Sequence, residues 1–489
     1  MLDYIESILA QFRSCFRRTP AFAWFVICVM ALMVRSDHLG VTSFIRDLAL
    51  RPECYECLLN FFRSTAYSNM SIRQRWIQVA AAKAPVVRVR NRAVLVGDGV
   101  KQSKEARRMP GVKKMAQESE TSSKPQFIHG HLLGAVGVVI ANAGKRLCLP
   151  LWINIQDGLR AMAGWPEADG IVEVSGKSHV EQMIECAFNA ALSIGDSYLL
   201  LDRYFLTAPA LKLLKKLNDS AKGTGRKMLE IVTKAKCNCI AYMKAPPRRP
   251  GQKGRPALKG KKINLGDLFK ETQRFLKGKA WMYGSLEEVS YYCTNLLWGR
   301  GLYYELRFVL VEWKGARSIL VTTDLSLPPL KAMELYGRRF SCEELFREMK
   351  QQIGAFCYHF WTKSLPRLSH FAKKSERDGL AKVTDPHQRK LVALTVKAME
   401  SFVNCSCVAM GTLQLISLQE NLAGHVLRHR YLRTYSSEMP SEASVMHYLR
   451  KYIFYILGKR PDSFVTQFIQ GKQKLPEESI GEAVPDFIA

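Results

Sequence analysis

An α/β fold built on a mixed sheet, flanked by helical regions, is the architecture this sequence predicts. Three observations predict it. Strand-like and helix-like runs alternate between residues 90 and 235 in the order three strands, helix, strand, helix, strand, an order suited to a layered α/β domain. The two ends carry apolar residues at helical spacing instead. Hydrophobic residues make up 47% of the 489, enough for real cores, and a chain of this length suggests about two to four domains.

Lys plus Arg number 72 against 43 for Asp plus Glu, a formal charge of +29 with pI ≈ 9.7. So large an excess opposes compactness unless a polyanion neutralises it. Nucleic acid is the first candidate partner and an anionic membrane surface the second.

Residues 1–85 read as helices. The run AFAWFVICVMALMV (21–34) has fourteen residues, too short for a bilayer, which needs about 20. No small-x-small cleavage site follows it, so the expectation is a buried helix. GVTSFIRDLALRPECYECLLNFFRS (40–64) breaks near Arg51-Pro52. It fits a helix-turn-helix and an ordinary helical hairpin equally well. Thirteen scattered cysteines include a single CxxC, Cys54 and Cys57, with no second pair at zinc spacing, so reduced buried thiols are expected.

RNRAVLVGDGV (90–100) is the first strand of the central region and reads as ending at Asp98. HLLGAVGVVIANAG (131–144) and KRLCLPLWINI (145–155) form the next two, joined by a turn. Residues 177–192 are helical. DSYLLLDRYF (196–205) is a short apolar strand ending at Asp202. APALKLLKKLN (208–218) is helical and RKMLEIVTKA (226–235) is again a strand. The stretch 289–313 alternates like antiparallel strands. Ser326, Pro328 and Pro329 suit the start of the helix that follows.

That helix carries YGRRFSCEELFREMK (336–350). At about 100° per residue, Tyr336, Arg339, Glu343 and Lys350 fall within about 60° of one another. A core stripe at this spacing would be apolar. One tyrosine, two cations and a carboxylate make either a solvated face with ion pairs or a site. If the first and fourth strands are neighbours, Asp98 and Asp202 lie side by side and the helix brings Glu343 over them. Three carboxylates repel unless cations fill the gap. Mg²⁺ or Mn²⁺ suits an all-oxygen cluster, and two such ions about 4 Å apart perform phosphodiester chemistry.

The string Tyr336-x2-Arg339-x3-Glu343-x6-Lys350 resembles the signature of the DDE transposases of bacterial insertion sequences, in the group with a Y-R-E-K motif. VLVGDGVKQSKEARRMPGVKK looks like the first-Asp segment of that family, LLLDRYF like its second, and TTDLSL also fits; the likeness covers roughly 90–375. It implies a ribonuclease H-like catalytic domain with a β-rich insertion ahead of the glutamate helix. The 141 positions from Asp202 to Glu343 leave room for it. The implied division is a helical DNA-binding region (1–85), the catalytic domain in two parts (86–235 and 326–375), a basic β-rich insertion (236–325) and a C-terminal helical region (376–489).

The resemblance implies two Mg²⁺ ions, or Mn²⁺ in their place, on Asp98, Asp202 and Glu343. Tyr336, Arg339 and Lys350 would face transposon-end DNA. The activity implied is cut-and-paste transposition by a homodimer on terminal inverted repeats, in the bacterial cytoplasm and nucleoid, with no membrane. Arg203 and Tyr204 follow Asp202 closely enough to assist. Trp281, Trp298 and Trp313 are candidates for the tryptophan that this family places near a flipped base. Phe340 and Cys342 depart from the usual residues around the glutamate.

Two basic segments extend the expected DNA contacts. KAPPRRPGQKGRPALKGKK (244–262) holds eight cations and no acid: Arg248, Arg249, Lys253, Arg255, Lys259 and Lys261 are its candidates. Lys253-Gly254-Arg255-Pro256 resembles a minor-groove hook, and a flexible linker touching phosphates is the plainer reading. Lys101, Lys104, Arg107, Arg108, Lys113 and Lys114 follow Asp98 and either line the mouth of the site or form a solvated loop. His129, His131 and His359 have no nearby acid and make poor metal ligands. A ribonuclease H-like nuclease that does not transpose, and an inactive basic DNA-binding protein, are the rival functions.

Overall fold

The apolar N-terminal run folds into a helix with no wet side. The computed structural model describes residues 1–489 except 39, 105, 118–124, 222–226, 248–253, 283, 370–378, 425, 427–438 and 475–489. Helix α1 (Leu2–Leu9) precedes α2 (Thr19–Val34), in which every residue from Phe25 to Val34 is fully buried. Helices α3 (Thr42–Asp47), α4 (Cys54–Arg63) and α5 (Asn69–Lys83) follow, the last capped by the Ser68 hydroxyl, which accepts from the Met70 and Ser71 N–H groups. Leu58, Phe61 and Phe62 of α4 are buried. Its outward side carries Glu53, Glu56 and Cys57.

The central strands are β1 (Arg88–Val89), β2 (Arg92–Ser103), β3 (Lys113–Ala116), β4 (Phe127–Asn142) and β5 (Lys145–Ile155). Helix α6 (His179–Ile194) starts at a Ser178–Glu181 capping box. Then come β6 (Ser197–Leu200), α7 (Ala208–Ser220) and β7 (Leu229–Ala235). β4 runs antiparallel to both β5 and β2, and β6 pairs parallel with β2 and with β7. The local order is therefore β5-β4-β2-β6-β7, so the condition that the first and fourth strands be neighbours is met by β2 and β6. Asp98 corrects one expectation: β2 does not end there but continues against β4 to Ser103.

The segment 236–325 is β-rich as expected: β8 (Ile240–Tyr242), β9 (Lys262–Asn264), β10 (Leu276–Met282), β11 (Ser285–Trp298), β12 (Tyr304–Trp313) and β13 (Ala316–Thr322). It does not stand apart. β13 pairs antiparallel with β7, so these strands extend the same sheet to thirteen strands.

Helix α8 (Pro329–Gly337), a 3-10 turn (Arg338–Phe340) and α9 (Ser341–Gln351) follow. The expected single helix is thus two helices joined by a tighter turn, which breaks the uniform 100° count. Pro329 opens α8 as expected, but no side chain caps it; the Ser326 hydroxyl donates to Asp324 instead. The C-terminal region supplies α10 (Pro386–Ser417), α11 (Glu420–Ala423), α12 (Glu442–Gly458) and α13 (Phe464–Gln470).

The boundaries expected at 85 and 376 are not breaks in packing. α10 lies against β5, α2, α4, α5 and α12, and one continuous apolar core joins both helical ends to the sheet. The Trp76 indole donates to the Pro150 carbonyl at 2.6 Å, and a Cβ on Gly411 of α10 would sit 2.1 Å from the Trp76 ring. Among the described residues α10 alone is long and apolar enough to cross a membrane, and 89% of its apolar window is buried inside the protein.

Candidate active site

Register places the acids. Val96, Leu200 and Val232 are level across β2, β6 and β7. Two residues further along stand Asp98 in β2, Lys234 in β7 and Asp202, whose backbone is still extended just past the end of β6. Side chains two apart share a face and neighbouring strands lie about 4.8 Å apart, so the three occupy one row.

Packing tells which face. A Cβ on Gly97 would sit 2.8 Å from Leu201 and 3.0 Å from Met183 of α6. One on Gly137, paired with Val96, would sit 2.5 Å from Cys148 Sγ and 3.5 Å from Leu345 of α9. α6 therefore covers one face and α9 the other, and both glycines are dictated by close approach. Asp98, in phase with Val96, faces α9, the helix that carries Glu343.

Arg339 connects them. Its Nη1 donates to Asp98 Oδ2 at 2.9 Å and its Nη2 to Glu343 Oε1 at 2.7 Å. The guanidinium is 18% exposed, Asp98 22% and Glu343 46%, so the pairs are neither sealed nor fully solvated. Burial pushes the Asp98 carboxyl up; Arg339 and the Gly99 N–H oppose the rise, and the nearby charges of Asp202 and Glu343 add to it. Burial works against the Arg339 charge, yet Asp98, Tyr336, Glu343 and Asp202 together raise its pKa. The three acids and Arg339 thus form one electrostatic unit. Among the described residues, no three His, Cys, Asp or Glu side chains are close enough as they stand to hold a metal ion. The donor set itself is all carboxylate, which suits a hard divalent cation, and Arg339 supplies the positive charge among these acids.

Lys234 is the residue that sequence reading missed. Burial first, then Arg339, lowers its pKa while Asp202 opposes. Its ammonium stands 4.9 Å from the centre of the Tyr336 ring. The signal was present: Lys234 follows the apolar core of its strand at the offset at which Asp202 follows its own.

The other expected residues divide. Tyr336, expected to face DNA, is only 8% exposed and walls a narrow cleft with Trp313, Met282 and Met333. Lys350 lies in the last turn of α9, half-buried. Arg203 and Tyr204 are exposed, and the Tyr204 ring stacks on His179 at 5.1 Å. Lys104 is a correction. It is buried, its ammonium donates to the carbonyls of Phe356 and Tyr358, and it sits 3.7 Å above the Tyr358 ring. Burial lowers its pKa to about 8, so it ties down the 356–358 loop instead of reaching DNA. Arg107 is exposed and Arg108 donates to the Lys363 carbonyl at 3.1 Å. His131, beside Lys104, is fully buried between Tyr358 Oη at 2.7 Å and the Pro110 carbonyl at 2.8 Å.

The three tryptophans differ in their surroundings; Trp298 is half-buried. Its indole donates to Cys239 Sγ at 3.1 Å. Trp313 donates to Glu287 at 3.0 Å. Trp281 is 50% exposed and shares a cavity with Gly337, Arg338 and Phe340. Arg248, Arg249 and Lys253 lie outside the described residues. Arg255 and Lys261 are exposed, and Lys259 stands over the rings of Tyr242 and Tyr303 at 4.1 and 5.1 Å. These last three lie in the connection between β8 and β9, at the opposite end of the sheet from β3, which holds Lys113 and Lys114. The acid row thus sits between two basic margins.

No protein-family model matches the chain, and no curated protein matches it.

Proposed function

We propose that this protein is a DNA transposase of the DDE type, with a ribonuclease H-like core in which Asp98, Asp202 and Glu343 are the catalytic carboxylates. The β5-β4-β2-β6-β7 order, three antiparallel strands followed by two parallel ones, supports that core. One observation carries the reading: residues 98 and 343, distant along the chain, pair with a single guanidinium, that of Arg339, whose charge residue 202 also stabilises from nearby.

Asp98, Asp202 and Glu343 would hold Mg²⁺, or Mn²⁺ in its place. When bound, the metal supplies Lewis acidity at the scissile phosphate and an activated water. The chain's own residues do the rest. Arg339 exchanges a carboxylate for a DNA phosphate, a partner that its planar fork also grips in bidentate fashion. Lys234, in the same row, offers a second cation to the phosphate backbone. The basic margins along β3 and in the β8–β9 connection hold the flanking duplex by counterion release. Two chains would bring two transposon ends together for cutting and for joining of the freed 3′ hydroxyls to target DNA.

Purified protein, Mg²⁺, paired transposon-end DNA and a target plasmid make the test. Joined products are expected from the wild type. Asp98→Asn, Asp202→Asn and Glu343→Gln should each abolish cutting with DNA affinity kept within about threefold; persistent cutting by any of them contradicts the assignment. Cutting without joining would indicate a nuclease instead. The spread of the acids around Arg339 favours a second reading, a basic DNA-binding protein without activity. Tight DNA binding with no Mg²⁺-dependent product of any kind would establish it.

A further inference from the structure

A second cationic site lies beside the acid row. Successive side chains in a 3-10 turn diverge by about 120°. Arg339 turns to Asp98 and Glu343, whereas Arg338 lines a cavity of about 540 Å³ with Arg146, Trp281, Lys331, Glu334 and Phe340. Lys331 and Glu334 pair with each other at 2.6 Å. Arg146 and Arg338 have no such ion pair among the described residues. Arg338 Nη1 is buried and has no hydrogen-bond partner among the described residues. Burial, and then repulsion from Arg146, lowers the Arg338 pKa, with Glu334 opposing, while Arg146 also acts on the Glu344 carboxylate; neither acid forms an ion pair with either arginine among the described residues. Two guanidiniums near enough to repel, around a buried donor with no acceptor, are stabilised by an oxyanion placed between them. Trp281 and Phe340, 50% and 51% exposed, give the cavity apolar walls, which suit the deoxyribose of a nucleic-acid strand better than a free hydrated ion.

We propose that Arg146 and Arg338 clamp one backbone phosphate of the DNA, at a site separate from the acid row. The proposal rests on the DNA-processing reading above. The Cα atoms of Arg338 and Arg339 are about 3.8 Å apart, so one turn would grip the strand at two nearby points. Arg146, on the exposed β4–β5 hairpin, would close the clamp from the other side.

A double-mutant cycle on DNA affinity tests it, with a labelled short duplex and EDTA present so that nothing is cut. Arg146→Ala and Arg338→Gln should each weaken binding about tenfold and lower the salt slope by about one. The double variant should bind no more than about threefold weaker than either single one, because both arginines serve one phosphate. Multiplying effects, or unchanged affinity in the single variants, overturn the clamp. A wild type that does not bind the duplex overturns the DNA reading itself. If Arg338→Gln fails to fold, Arg146→Ala carries the test alone. A neutral methylphosphonate placed in turn along the strand should weaken wild type at one position and leave Arg146→Ala indifferent there; equal losses in both proteins at every position reject the clamp. If inorganic phosphate changes the Trp281 fluorescence (wild type minus Trp281→Phe) and the duplex does not, the site takes a free anion and the proposal falls.

Discussion

Arg73 and Arg339 are both arginines that bridge two carboxylates, and they do opposite work. Arg73 is sealed: its side chain is 1% exposed, and it donates to Glu400 at 2.8 Å, Glu173 at 3.0 Å and Asn404 at 3.0 Å. It also lies 5.1 Å from the Trp152 ring. Its partners come from α10, β5 and the connection ahead of α6, so it ties the helical ends to the sheet. Arg339 pairs with two acids that are 22% and 46% exposed and is itself 18% exposed. The chemistry of the pairs is the same. Completion and burial separate a structural node from one free to change partners.

The largest expected effect breaks the sealed node. Arg73→Ala leaves Glu400 buried and uncompensated and should cost about 3–5 kcal/mol of folding free energy, read by urea denaturation. Mg²⁺ should not restore it.

The next tests burial without charge. His131 is held neutral, its pKa pushed by burial to about 3, while the unfolded chain takes up a proton near pH 6.5. Its contribution is therefore present above about pH 6.5 and is lost as pH falls, on the order of 2–3 kcal/mol by pH 4.5. His131→Asn should flatten the fall in stability over that window; an unchanged slope against wild type would show that His131 is not the group responsible.

Lys104→Met sharpens the contrast between inward and outward cations. Two buried carbonyls lose a charged donor, at about 1–3 kcal/mol, while DNA affinity should stay within about twofold. A tenfold loss of affinity would return Lys104 to the DNA surface.

Arg339→Ala should change stability least, within about 1 kcal/mol, because its pairs are partly solvated. The acids it leaves behind repel one another, so the variant's melting temperature should rise on adding Mg²⁺ more than that of wild type. Equal responses would mean that the three acids do not act together.

These contrasts also mark what could be read from residues alone. The strands β2, β6 and β7 were legible because their apolar runs are short and bounded; their order was not, and the placing of Asp98 beside Asp202 hung on the condition that β2 and β6 pair, which they do. The pairing of Arg339 with Glu343 was legible from their spacing of four, although the 3-10 turn changes the phase of Tyr336. The 3-10 turn at 338–340 was not, since Gly337 is the only local cue and tolerates a helix. Lys234 was passed over because a lone strand lysine gains meaning only from register with Asp202. The inward turn of Lys104 depends on carbonyls some 250 positions away at Phe356 and Tyr358, and no local pattern encodes that. What the two helical end regions pack against was hidden for a related reason: α10 carries apolar residues nearly all round, which signals burial but not the elements that bury it.

Mn²⁺ binding, counted by electron paramagnetic resonance on the protein bound to uncut DNA, tests the central claim most directly. Two ions per chain are expected in wild type, with loss of at least one in Asp98→Asn, Asp202→Asn and Glu343→Gln alike. Binding of no Mn²⁺, or the same occupancy in all four proteins, would contradict a shared site.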